Sequence, residues 1–269
     1  MIFFLTLTLV LVSCDNQSGY FKIDGRFLNL NQGEFYVYSP DGIITGLDTI
    51  KVEGGRFTYE TPCSNEGTLM LIFPNFSEQP VFASPGKTAD IKADASHLKE
   101  MEVKGTKANE LMTDFRKQIA SASPPEATNY AAQFIKDHPE SPASVYLLRH
   151  YFVQGTTPNY AEASSLADII AAKQPQNIRL TQLKSVIDML KSTGKGCNMP
   201  AFAGTDFNGN LVRNNAIHGK VAVIYTWATW NYDSYSIVRK LKGIKKEAGN
   251  RLAVIGISMD ANAEDSKRY

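Results

Sequence analysis

Apolar and polar positions alternate along the first third of the chain. In Tyr20-Phe21-Lys22-Ile23-Asp24-Gly25 they change places residue by residue, and Gly33-Glu34-Phe35-Tyr36-Val37-Tyr38 repeats the pattern in part. A period of two marks a half-buried strand. Asp48-Thr49-Ile50-Lys51-Val52 and Gly55-Arg56-Phe57-Thr58-Tyr59 flank Glu53-Gly54, a turn signal that predicts a hairpin. Leu69 to Phe73, Val81 to Ala83 and Ala89 to Ala93 continue the series. Short strands punctuated by Gly, Pro and Asn predict an antiparallel β sandwich or barrel over 19–106. Asp15 to Gly19 is polar and reads as a tether before it.

Over 107–195 the period becomes helical. Leu111, Phe115 and Ile119 recur every four residues, and Pro124-Pro125 breaks the run. Ala131, Phe134 and Ile135 form the next stripe, stopped at His138-Pro139. Ser141-Pro142 predicts a helix start that runs through Val153, with proline at a tolerated first-turn position. Two more helices fit Tyr160 to Lys173 and Gln176 to Ser192. These stripes read as core-facing, and His138 and His150 have no ligand partners at metal spacing.

Over 197–269 short strands and helices mix. Thr205 to Val212 reads as a hairpin around Asn208-Gly209, and Val221-Ala222-Val223-Ile224-Tyr225 as a buried strand. Ser234 to Glu247 reads as a helix with Ile237, Leu241 and Ile244 on one face, followed by a parallel strand from Arg251 to Ser258. The class is therefore multidomain α+β: an N-terminal β module, a central helical segment and a C-terminal α/β segment.

Composition adds limits. The 269 residues allow two domains, and 43% hydrophobic with 20% charged residues is globular. A net charge of +1 gives no electrostatic case for nucleic acid. The apolar stretch Ile2 to Val12 is too short to span a bilayer and fits the h-region of a secretory signal peptide. Leu11-Val12-Ser13-Cys14 resembles the lipobox of bacterial lipoproteins, over residues 1–14. That resemblance implies lipidation of Cys14, a membrane anchor there, and a cell-envelope location facing the periplasm or cell surface. No Lys or Arg precedes the apolar run, which suggests a true start further upstream. Cys63 and Cys197 have no redox or metal spacing, and two isolated buried thiols are expected.

Two further resemblances rest on motifs. The Phe21-x-Ile23-x-Gly25 opening, Leu47 to Val52 with Gly55-Arg56-Phe57, and Ser84-Pro85-Gly86 are similar to a β domain of unknown function that precedes thioredoxin-like domains in envelope lipoproteins. Trp227-Ala228-Thr229-Trp230-Asn231-Tyr232-Asp233-Ser234 resembles the active-site segment of TlpA/ResA-type thioredoxin-like proteins, with Pro200-Ala201-Phe202 upstream and Ile255 to Asp260 downstream. The family's two cysteines are replaced by Asn231 and Ser234. A thiolate and a resolving thiol are what that chemistry needs, and neither an amide nor an unactivated hydroxyl supplies them. Asn231, Asp233 and Ser234 read instead as helix caps. The family pattern would continue beyond Tyr269 into a proline loop, a hairpin and a last helix. The expectation is thus a partial domain with an open edge, either an interrupted gene product or a short protein completed by a partner or by self-pairing.

The functional expectation is a lipid-anchored, redox-inactive, thioredoxin-like protein that binds or scaffolds a protein or peptide, with no cofactor and no metal. The alternatives are a TlpA/ResA-type thiol–disulfide oxidoreductase using Cys63 or Cys197, a peroxidase, and a β module that holds a glycan or peptide on Tyr36, Tyr38, Phe57 and Tyr59.

Overall fold

A computed structural model describes residues 19–155 and 158–267. The chain divides into two compact units, Met1–Gly194 and Lys195–Tyr269.

The first unit is built on one eight-stranded sheet. Its strands are β1 (Tyr20–Leu28), β2 (Gln32–Tyr38), β3 (Leu47–Glu53), β4 (Arg56–Pro62), β5 (Gly67–Ile72), β6 (Glu78–Ala83), β7 (Thr88–Asp94) and β8 (Glu102–Lys104). The order is β6-β5-β2-β3-β4-β1-β7-β8. All neighbours are antiparallel except β1 and β7, which run parallel. The fold is thus a single near-barrel sheet, with no second sheet stacked on it as a sandwich would have. One parallel pair breaks the expected antiparallel series, and β8 carried too few residues to show a period.

Every strand sends alternate side chains into one core. Phe21, Ile23 and Phe27 of β1 meet Phe35, Ile50, Phe57, Leu71, Val81, Ile91 and Val103 there. The inward position between Ile23 and Phe27 is Gly25, paired in register with Phe57. A Cβ on Gly25 would stand 1.9 Å from the Phe57 ring, so the glycine is the space the ring fills. Phe57 in turn stacks on Phe27 at 4.9 Å. The pattern Tyr36, Tyr38, Phe57, Tyr59 therefore does not make one binding surface: Phe57 is core, and Tyr59 donates its hydroxyl to Asp48 at 2.7 Å.

Five helices complete the unit: α1 (Lys107–Ile119), α2 (Pro124–Asp137), α3 (Pro142–Leu147), α4 (Tyr160–Lys173) and α5 (Ile178–Ser192). Polar caps set their starts. Thr106, Ser141, Asn159 and Asn177 accept first-turn N–H groups, and Ser123 forms a reciprocal box with Glu126. Pro124-Pro125 opens α2, where a missing N–H costs nothing. The helix expected from Ser141 to Val153 is present, but its second half, Leu148–Val153, is a π-helical turn. The helices share a second core, from Met112 and Phe115 through Leu147, Phe152, Leu166 and Ile187, and Phe82 of β6 belongs to it.

Both outer strands of the sheet end on α1. Asn109, Thr113 and Arg116 lie at i, i+4 and i+7, one face of the helix. Asn109 accepts from the Phe82 N–H at 2.8 Å and donates to the Phe82 carbonyl at 2.9 Å. Thr113 does the same for Val103 of β8, at 2.9 Å both ways. Arg116 donates to the Pro80 carbonyl of β6, to the Met101 carbonyl before β8, and to Gln79. Burial without a carboxylate partner pulls its pKa down to about 10, which leaves it charged at neutral pH.

The second unit holds two small sheets. β9 (Ala203–Thr205) and β10 (Leu211–Arg213) form a hairpin, and β11 (Val221–Trp227) pairs in parallel with β12 (Leu252–Ser258). Helix α6 (Tyr232–Ala248) connects the parallel strands, and α7 (Ala263–Lys267) follows. The hairpin turn is longer than a two-residue Asn-Gly turn: Asp206 accepts from the N–H groups of Asn208 and Asn210, and Gly209 takes φ 83°. The apolar stripe expected on α6 is not covered. Val238 is buried and Leu241 half-buried, whereas Ile237 and Ile244 are exposed, because two strands offer too little surface to cover the whole stripe.

Asn109→Leu keeps the side-chain volume and leaves the Phe82 N–H and carbonyl buried and unpaired. The expected loss is about 2–4 kcal/mol in denaturant unfolding, at unchanged slope. An unchanged midpoint would refute the edge-sealing role of α1.

Candidate functional site

Four side chains were singled out in the second unit: Trp227, Trp230, Asn231 and Ser234. The structure places them at one turn, between the end of β11 and the first turn of α6. Trp227 and Ser234 are buried, whereas Trp230 is 74% exposed. Tyr232 and Tyr235 are exposed beside it, so the turn presents aromatic side chains to solvent.

Asn231 and Ser234 are both occupied by backbone. Asn231 is the N-cap of α6, and its side-chain oxygen accepts the Asp233 N–H at 2.9 Å. A cap of this type contributes about 1 kcal/mol. The Ser234 hydroxyl accepts the Ala228 N–H at 3.1 Å, and the Ser234 N–H donates to the Asn231 carbonyl. The turn is thereby closed on itself. Asp233 adds a negative charge in the first helical turn, where the dipole favours it. His218 is exposed at the end of a short 3-10 turn, Asn214–Ile217, and makes no hydrogen bond to Ser234.

A further residue organises the site and was not foreseen. Asp260 follows β12 by two residues. One of its oxygens accepts from both the N–H and the hydroxyl of Thr229 at 2.9 Å. The other accepts from the hydroxyls of Ser258 and Ser266, at 3.0 and 2.8 Å. Asp260 thus ties the turn before α6 to the turn before α7. Burial pushes its pKa up, but the four hydrogen bonds outweigh that and hold it below the usual carboxylate range. The signal was present in the run Ser258-Met259-Asp260, yet an Asp after a strand is too common to single out. Packing below is close: Gly256 admits the Tyr225 hydroxyl and the Trp227 indole nitrogen where a Cβ would stand, at 2.8 and 3.0 Å.

The two remaining cysteines differ. Cys63 is buried in the sheet core, donates to the Asn65 carbonyl at 3.2 Å, and has its thiol pKa pushed up by burial. Cys197 is exposed, contrary to the expectation of two buried thiols, because the segment from Lys195 to Phe202 contributes to no core. Neither is in a disulfide. Among the described residues no three His, Cys, Asp or Glu side chains come together as a metal site, and no helix is long and apolar enough to cross a membrane. Cys14 and the apolar run before it lie outside the described residues.

Residues 21–112 match a family described as a domain of unknown function, DUF4369. The matched segment runs from β1 into α1 as far as Met112, so it includes Asn109. No curated protein matches the chain. A solved structure of a thioredoxin-like protein from Bacteroides caccae is similar at 13% identity and a TM-score of 0.40. The match covers 57% of this chain and 66% of that one, a similarity too low to carry an argument.

Because the folded pKa of Asp260 is depressed, its contribution is present above the unfolded value of about 3.9 and is lost as pH falls through the folded value. An NMR titration should show the Thr229 amide shifting with a midpoint below that of a free aspartate, and Asp260→Ala should abolish the step. A midpoint at or above about 3.9 would contradict the hydrogen-bonded arrangement.

Proposed function

We propose that this chain is a lipid-anchored cell-envelope protein whose C-terminal unit is a partial thioredoxin-like domain adapted to bind rather than to exchange disulfides. The observation that carries this reading is the use of Asn231 and Ser234. In a thiol–disulfide enzyme of this type the free N–H groups at the helix start stabilise a thiolate. Here the Asn231 oxygen and the Ser234 hydroxyl take backbone N–H groups at that turn, and no sulfur stands there. The sequence β11, turn, α6, β12 with parallel strands supports the thioredoxin-like reading of this unit.

The oxidoreductase alternative is disfavoured by Cys63, whose buried thiol lacks both access and acidity. Cys197 is exposed and stands outside the turn between β11 and α6. The exposed Trp230, Tyr232 and Tyr235 are residue types that anchor protein contacts, which favours a binding role at this turn.

The purified chain should show no insulin disulfide reduction above buffer. The double variant Asn231→Cys/Ser234→Cys should gain activity if the turn retains the geometry of such a site. Robust wild-type activity that is lost in Cys63→Ala or Cys197→Ala would overturn the reading.

Anchoring rests on Leu11-Val12-Ser13-Cys14. Cells expressing the chain should incorporate labelled fatty acid into it, and Cys14→Ala should remove both the label and membrane retention. Labelling that survives this change would exclude lipidation at Cys14.

A further inference from the structure

The first unit contains a cleft of about 990 Å³ where the helices meet the loop ends of the sheet. One wall is fixed by ion pairing and hydrogen bonds. Arg179 at the start of α5 pairs with Asp41 at 2.7 Å and donates to the Pro40 and Asp41 carbonyls. Asp41 also accepts the Thr68 N–H at 2.6 Å, and Ser39 donates to the Thr68 carbonyl at 2.9 Å. The start of α5 is fixed further by Gln174, which donates to the carbonyls of Pro139 and Ser141, and by Asn177, which donates to Gln174. The cleft is therefore preformed by the fold.

Its lining differs from these walls. Asn65, Gln154, Gln176 and Gln182 are among the residues that line it; all four are exposed, and none of their side chains makes a hydrogen bond among the described residues. Apolar residues line it too, among them Val145, Val153, Leu183 and Val186. Each amide offers both donor and acceptor, the pairing that a peptide backbone needs. Apolar residues in the same lining offer contacts for the side chains of such a segment.

We infer that this cleft binds an extended peptide segment, with backbone amides met by the Asn and Gln side chains and apolar residues seated against Val145, Val153, Leu183 and Val186. The lining disfavours other occupants. A polyanion needs several cations, but among the described residues of the lining only Arg149 is a cation outside an ion pair, and Glu66 stands in the same lining. A glycan needs an open aromatic face. The single aromatic of the lining, Tyr146, has its ring stacked on His150 at 5.6 Å with Phe82 edge-on at 6.4 Å. A small molecule would be enclosed on most sides, whereas the free amides here are exposed and suit a chain lying across the surface.

The inference is independent of the reading of the second unit. Its test is selection of a phage-displayed linear peptide library on the purified full chain. Affinity of a labelled selected peptide is then measured by fluorescence anisotropy. Val186→Lys and Gln182→Lys replace exposed positions and should leave thermal unfolding unchanged. Each should weaken binding by about tenfold or more, since a charge is placed in the contact. Lys240→Ser, an exposed position in the other unit, should leave binding unchanged. Failure to select any peptide, or a selected peptide indifferent to both lysine variants, overturns the inference. So does a glycan-array ligand that both variants abolish when no peptide binds.

Discussion

The first unit depends on one face of one helix. A sheet that curves almost to closure leaves two edge strands with backbone groups unpaired, and buried unpaired groups cost more than any single packing contact returns. Asn109, Thr113 and Arg116 resolve this with side chains in place of a ninth strand. Asn109 and Thr113 each offer one donor and one acceptor, so each copies the ladder step that the edge lacks. Pro80 has no N–H to satisfy and needs its carbonyl answered alone, which Arg116 does. The same helix carries Met112 and Phe115 into the helical core. Edge sealing and helix docking are consequently one event. Phe82 shows the coupling most directly: its backbone is held by Asn109, and its side chain belongs to the helical core.

Much of this was legible in the sequence, and the limits have physical causes. Strands with clear alternation, such as the one holding Phe21 and Ile23, announced themselves, as did helices with polar caps and proline starts. The sealing residues were not legible, because Asn, Thr and Arg on a helix read as a solvated face until a sheet edge is known to lie opposite. The parallel pairing of β1 with β7 was equally hidden, since a period of two carries no direction. Gly25 read only as part of an alternating run, and it is the space for Phe57, a relation set by register and not by neighbours in sequence. Cys197 was expected in a core because cysteine is usually buried, but the segment around it reaches none.

The second unit is held differently. Its parallel pair is short of partners, and much of the apolar surface on α6 and β12 stays exposed, as at Ile237, Ile244 and Ile257. Order at its functional end comes instead from side chains that fasten turns. Asp260 gathers four hydrogen bonds from Thr229, Ser258 and Ser266, and Asn231 with Ser234 closes the turn before α6. These are local bonds, strong enough to shape a turn and too few to make a large core. The stretch from Trp227 to Ser234 and the run ending at Asp260 were visible as motifs, while the role of the Asp260 carboxylate in fastening the turn was not.

Capping and thiol chemistry compete for the same groups. The N–H groups at the start of a helix have no intrahelical partner, so they go to whatever acceptor is nearest. A cysteine there gains from them as a thiolate, because the negative sulfur is the acceptor and its pKa falls. An asparagine there gains as a neutral cap, and the N–H groups become part of the fold's own stability. At Asn231 the second arrangement holds, since its side chain takes the Asp233 N–H, while the Ser234 hydroxyl takes the Ala228 N–H before the helix and closes the turn. On the binding role proposed for this unit, a turn held in this way keeps its shape and presents the exposed Trp230, Tyr232 and Tyr235 to a partner.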